Sequence, residues 1–184
     1  MYTFEEWKKN LIIVRGGGDI ATGTIYKLYQ SRFPVLVLEI ANPSCIRRTI
    51  SFCEAIFDKE VEVEGVKAKC AGSLEEAFLI YEEGKIPVMI DEQGEIIQEL
   101  CPPVVVDAIL AKKNLGTKIT DASVVIGVGP GFCAGKDVDA VIETQRGHNL
   151  GRVIYEGEAT PNTGIPGMIA GYAKERVIHA PATG

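Results

Sequence analysis

The feature that most constrains this chain is a strand, a glycine triplet, a helix and a second strand in immediate succession. Leu11-Ile12-Ile13-Val14 is a short apolar run that stops at Gly16-Gly17-Gly18, the pattern of a strand buried on both faces. From Asp19 to Gln30, Ile20, Thr24 and Leu28 keep helical spacing, and Phe33-Pro34 ends the helix before apolar Val35-Leu36-Val37-Leu38-Glu39. Gly16-Gly17-Gly18-Asp19-Ile20-Ala21 fits G-x-G-x-x-A. That pattern needs glycine where the chain turns and where backbone meets a pyrophosphate, and a small residue where the helix packs. The N–H groups opening the helix attract phosphate. Glu39, about 20 residues beyond the glycines, suits a ribose 2′-hydroxyl. Gly16, Gly17, Gly18, Asp19, Ala21 and Glu39 are therefore candidate dinucleotide contacts. A tight strand–helix turn without a ligand uses the same glycines, so both readings stand at this point.

The alternation continues. Cys45 to Phe57 has the pattern of a helix, Val61 to Cys70 that of strand turning at Gly65, and Ser73-Leu-Glu-Glu76 that of a helix start running to about Glu83. Ile86 to Ile90, Val104 to Val106 and Val124 to Val128 read as buried strands, and Ala140 to Glu143 and Arg152 to Tyr155 as shorter ones. The turn Asp91-Glu-Gln-Gly94 suggests that Glu95 to Leu100 returns as a hairpin strand. The fold class expected is α/β, a Rossmann-like, mostly parallel sheet with flanking helices. It is expected over residues 1–158, followed by a Gly/Pro-rich C-terminal segment, 159–184.

Composition excludes several classes. The chain has 184 residues with 46% hydrophobic and 24% charged side chains, enough to bury roughly 70% of its unfolded surface as a globular domain. A net charge of −6 without a basic block argues against a nucleic-acid partner. The apolar stretch Ala122 to Ala134 is broken by Gly and Pro and is too short to span a membrane. The acidic start, Met1 to Trp7, has no apolar signal core, so a cytoplasmic location is expected. Five cysteines without a C-x-x-C pair, and two histidines, give neither a disulfide framework nor an expected metal site. Cys45, Cys53, Cys70 and Cys101 read as core or strand positions.

A second glycine loop, Gly127-Val-Gly129-Pro-Gly131-Phe-Cys133, follows the strand at Val124, and in a parallel sheet it lies at the same edge as the first. Gly129 and Gly131 are therefore further candidates, with a proline-cornered turn as the alternative. Glu143 to Asn149 contains no apolar side chain. Within it, Arg146 suits a phosphate or carboxylate and His148 a proton transfer, although a solvated loop has the same composition. Cys133 is the candidate carrier of sulfur or selenium, against the plainer role of a small apolar filler. No catalytic assignment follows beyond these two candidates, Cys133 and His148.

Five strings occur in fixed order: Gly16-Gly-Gly-Asp-Ile-Ala-Thr-Gly23, Val105-Val-Asp-Ala108, Gly129-Pro-Gly-Phe132, Glu143-Thr followed by Arg146-Gly-His148, and Pro161-Asn-Thr-Gly164. Together they resemble the selenium-dependent molybdenum hydroxylase system protein family (YqeB-type). That family is distantly similar to the Rossmann portion of xanthine dehydrogenase accessory factors. The resemblance implies an accessory role in maturation or cofactor supply, with a molybdenum hydroxylase apoenzyme as partner. The implied ligand is a dinucleotide, either molybdopterin dinucleotide or NAD. An NAD-dependent oxidoreductase and a non-catalytic interaction domain are the alternatives. Family members continue into a small β-rich, lipoyl-like module, and Arg176 to Gly184 resembles its first strand. The expectation for these last residues is disorder or pairing with a second copy, a homo-oligomer.

Overall fold

A computed structural model describes residues 2 to 182 of the chain. Helix α1 (Phe4–Asn10) opens on a capping box in which Thr3 and Glu6 each accept from the other's backbone N–H, which satisfies two otherwise orphaned donors. Strand β1 (Ile12–Arg15), helix α2 (Asp19–Gln30) and strand β2 (Val35–Glu39) follow. After two 3-10 turns come α3 (Ala55–Asp58), the hairpin β3 (Glu60–Val63) and β4 (Val66–Ala71), α4 (Leu74–Glu82) and β5 (Ile86–Ile90). Next are α5 (Glu95–Leu100), β6 (Val104–Asp107), β7 (Val124–Val128), β8 (Cys133–Ala134), β9 (Ala140–Ile142), β10 (Val153–Ile154) and β11 (Gly157–Glu158).

Nine strands form one sheet in the order β10-β9-β7-β6-β1-β2-β5-β4-β3, and β8 pairs with β11 apart from it. The interior pairings are parallel, with antiparallel β3–β4 and β9–β10 at the two ends. The run β5-β2-β1-β6-β7-β9 has the 3-2-1-4-5-6 order of dinucleotide-binding sheets. This is a Rossmann-like α/β fold. Alternation along the strands sends Ile13, Leu36 and Leu38 to one apolar layer with Trp7, Ala77, Ile80 and Ile97. Ile12, Val14, Val35 and Val37 face the other layer, with Ala21, Ile25 and Phe52. Helices therefore cover both faces, which is why the strands read as unbroken apolar runs.

Two expectations change. Glu95 to Leu100 is a helix, not a hairpin strand. Asp91 carboxylate oxygens accept from the backbone N–H groups of Gly94, Glu95 and Ile96 at 2.8–3.0 Å, capping a first turn that strand pairing would have left unmet. Cys45 to Phe57 is not one helix either; it is a loop, turns at Arg48–Ile50 and Phe52–Glu54, and the short α3. Its donors are claimed elsewhere: Phe52 N–H by Thr22 Oγ1 and Cys53 N–H by Gly17 O, each at 2.9 Å. From Ala159 onward there is an isolated bridge, Ile169 with Tyr172, and a 3-10 turn at Lys174–Arg176. Val177 to Ala180 carry no regular structure, and the expected strand's last two residues, Thr183 and Gly184, lie outside the described residues. Among the described residues no helix is long and apolar enough to cross a membrane.

Candidate functional site

Where β1 is flanked by β2 on one side and β6 on the other, successive crossovers leave in opposite directions. A crevice opens at the carboxyl end of such a switch point. A cleft of about 410 Å³ occupies it here, lined among others by Gly16, Gly18, Asp19, Glu39 and Asp91. Gly18 caps α2 in extended conformation, and no side chain caps that helix. The first N–H groups of α2 thus open a helix with no competing side-chain acceptor, the arrangement that receives an anion. A Cβ on Gly18 would meet nothing within 4 Å. Ala21 is fully buried under the helix, the close helix–sheet contact that its place in the pattern requires.

Glu39 ends β2 beside the loop. Its Oε2 accepts from Gly17 N–H and its Oε1 from Ile40 N–H, both at 2.8 Å. These contacts orient the carboxylate, and its remaining lone pairs stay available to a hydroxyl. The charge around the cleft is mostly negative, from Asp19, Glu39, Asp91 and Glu92. Asp19 is paired with Arg47 at 2.9 Å. Arg15, on the floor, is only 4% exposed and is committed to Asp107, Thr117 and the Glu92 carbonyl. The cleft therefore offers carboxylate acceptors along one side and backbone N–H donors at the start of α2.

The second glycine loop lies at the same sheet edge but does not line this cleft. A Cβ on Gly129 would sit 3.0 Å from Leu110 Cδ2 and Thr144 Oγ1, and one on Gly131 2.6 Å from Lys113 N. Packing against the 110–113 loop crowds both, and Thr144 crowds Gly129 as well. Pro130 and Arg146 line a neighbouring cleft of about 550 Å³, with Lys112, Thr144 and the Pro161 to Thr163 stretch. Ile20 and Leu110 line both clefts, so they form the ridge between an acidic and a basic compartment. Glu143 ties this region together by accepting from Gln145 N–H, Thr160 N–H and Thr160 Oγ1 at 2.7–2.8 Å. Burial pushes its carboxyl up, but the Thr160 and Gln145 donors prevail and hold it below the usual range.

His148 is exposed and lines neither cleft. Cys133, half-buried in β8, lines neither as well. Two cysteines read as core do line the first cleft: Cys45 and Cys53, with Cys45 in a loop. Cys101, also read as core or strand, is exposed at the end of α5. The spacing of Cys45 and Cys53 carries no motif, and only the fold of the 45–54 segment brings them together.

The chain is similar to a protein of Escherichia coli (strain K12) called "Uncharacterized protein YqeB". The two are 54% identical over 174 residues, 95% of this chain and 32% of that protein. The chain thus spans about a third of the length of the curated relative it matches. That similarity supports the YqeB-type resemblance. No family profile matches the chain, and no solved structure does.

Proposed function

We propose that this chain is the nucleotide-binding part of a YqeB-type protein and serves as an accessory factor in maturing, or supplying cofactor to, a selenium-dependent molybdenum hydroxylase. The observation that carries the ligand class is the uncapped start of α2, with open space in front of Gly18 and the Glu39 carboxylate beside it. A dinucleotide fits these residues. The α2 N–H groups would receive pyrophosphate, Glu39 a ribose 2′-hydroxyl, and the basic compartment of Lys112 and Arg146 the far half of the ligand, across Ile20. Both molybdopterin dinucleotide and NAD offer these groups. The two candidate catalytic residues, His148 and Cys133, do not line the cleft.

Calorimetric titration with NAD(H) and NADP(H), together with native mass spectrometry of freshly purified protein, tests this. Binding of NAD(H) at least tenfold tighter than NADP(H) is expected, because Glu39 repels a 2′-phosphate; a retained pterin dinucleotide mass would select the other ligand. Tighter NADP(H) binding overturns the role of Glu39. Absence of any retained or titrated nucleotide overturns the ligand class.

A further inference from the structure

Three side chains left without a role by the nucleotide reading meet beside the first cleft. Cys45 Sγ lies 3.1 Å from Cys53 Sγ and 3.7 Å from Glu54 Oε1. One donor atom from each of the three lies within 4.8 Å of the other two. Cys53 and Glu54 are buried, and Cys45 is half-buried. Both cysteines line the cleft. Arg48 occupies Glu54 Oε2 through Nε at 2.8 Å and Nη2 at 2.6 Å. That pairing engages one carboxylate oxygen and leaves Oε1 toward the sulfurs.

We propose that Cys45, Cys53 and Glu54 form a binding site for a divalent cation of the zinc class, with one coordination position open to the cleft. Thiolate and carboxylate are the donors such an ion takes, and three protein ligands plus an open fourth position is the arrangement of a reactive site, not a structural one. Two thiolates and one carboxylate against the Arg48 guanidinium leave two negative charges, which a divalent cation cancels. Binding releases the two thiol protons to solvent and moves no electrons. On a tetrahedral ion with Zn–S near 2.3 Å the sulfurs stand about 3.8 Å apart, a small opening from 3.1 Å. A disulfide would instead draw them to about 2.05 Å. The site stands whether or not a nucleotide binds.

The experiment is an optical titration of the reduced full chain with Co²⁺. A thiolate-to-cobalt charge-transfer band saturating at one equivalent, and displaced by Zn²⁺, is expected. Cys45→Ser should weaken Co²⁺ binding at least tenfold with an unchanged circular dichroism spectrum, Glu54→Gln should weaken it less, and Cys101→Ser should leave it unchanged. If Cys45→Ser does not fold, protection of Cys45 and Cys53 from alkylation by Zn²⁺ in the wild type reads out the same ligands. Absence of the band, or of that protection, overturns the site. So does an undiminished band in folded Cys45→Ser. A Cys45–Cys53 disulfide in the isolated protein that still forms in excess Zn²⁺ overturns it too.

Discussion

Gly16, Gly17 and Gly18 are consecutive, yet each is glycine for a different reason. Gly16 has φ +91°, and a Cβ there would lie 3.0 Å from Ala108 O and Ile109 N. At Gly17 a Cβ would come within 2.9 Å of Cys53 N. Gly18 has φ −65° and faces open space. The first two are required by the fold; the third is not, and on the proposed reading it leaves room for the ligand. Gly16→Ala should therefore cost about 1–3 kcal/mol from backbone strain, lowering the melting temperature by roughly 2–12 °C at this chain length. Gly18→Ala should cost under about 1 kcal/mol, the difference between Gly and Ala as N-cap. It should weaken nucleotide binding about tenfold, about 1.4 kcal/mol. Calorimetry and ligand titration on the same preparations check both, and an unchanged affinity in Gly18→Ala removes that residue from the site.

Among the elements, the β3–β4 hairpin is held to the sheet by charge as well as by pairing. Glu60 on edge strand β3 accepts from Lys85 at 2.8 Å and Lys67 at 3.0 Å. These ammonium groups, Lys85 foremost, hold its carboxyl down to about 2 from the ordinary 4.5. A carboxyl lowered in the folded state contributes stability above its unfolded value and loses it as pH falls through the folded one. Protection of the β3 amides from hydrogen exchange should therefore decline as the pH drops from 4.5 toward 2. In Glu60→Gln that extra decline should be absent, while protection at neutral pH is already lower. The pair is half-buried at the surface, so the effect is local to this edge. Identical pH profiles for the two proteins would show that the pairing contributes nothing.

At the scale of the molecule, the cleft floor and the sheet are joined by one buried network. Arg15 in β1 reaches Asp107 in β6, and Thr117 accepts from Arg15 while donating to Asp107. Arg15 and Asp107 are 4% and 1% exposed. Removing one member leaves a charge buried without its counterpart. Asp107→Ala should therefore destabilise the fold by about 3–5 kcal/mol, a fall in melting temperature of roughly 6–20 °C. A loss below about 1 kcal/mol in thermal unfolding would show that water replaces the carboxylate. What the sequence determined alone was local. Strands β1, β2, β5 and β7, helix α2 and the Ser73 start of α4 depend on periodicity and caps within a few residues. Their alternation already implied a mostly parallel sheet. Tertiary structure decided what met in the cleft. Arg15 and Asp107 are 92 positions apart. Cys45 and Cys53 converge because Gly17 and α2 claim the N–H groups of Cys53 and Phe52. Glu95 to Leu100 became a helix because Asp91 supplied its cap. Periodicity describes only the face a residue presents, whereas these outcomes turn on which partner takes each backbone donor.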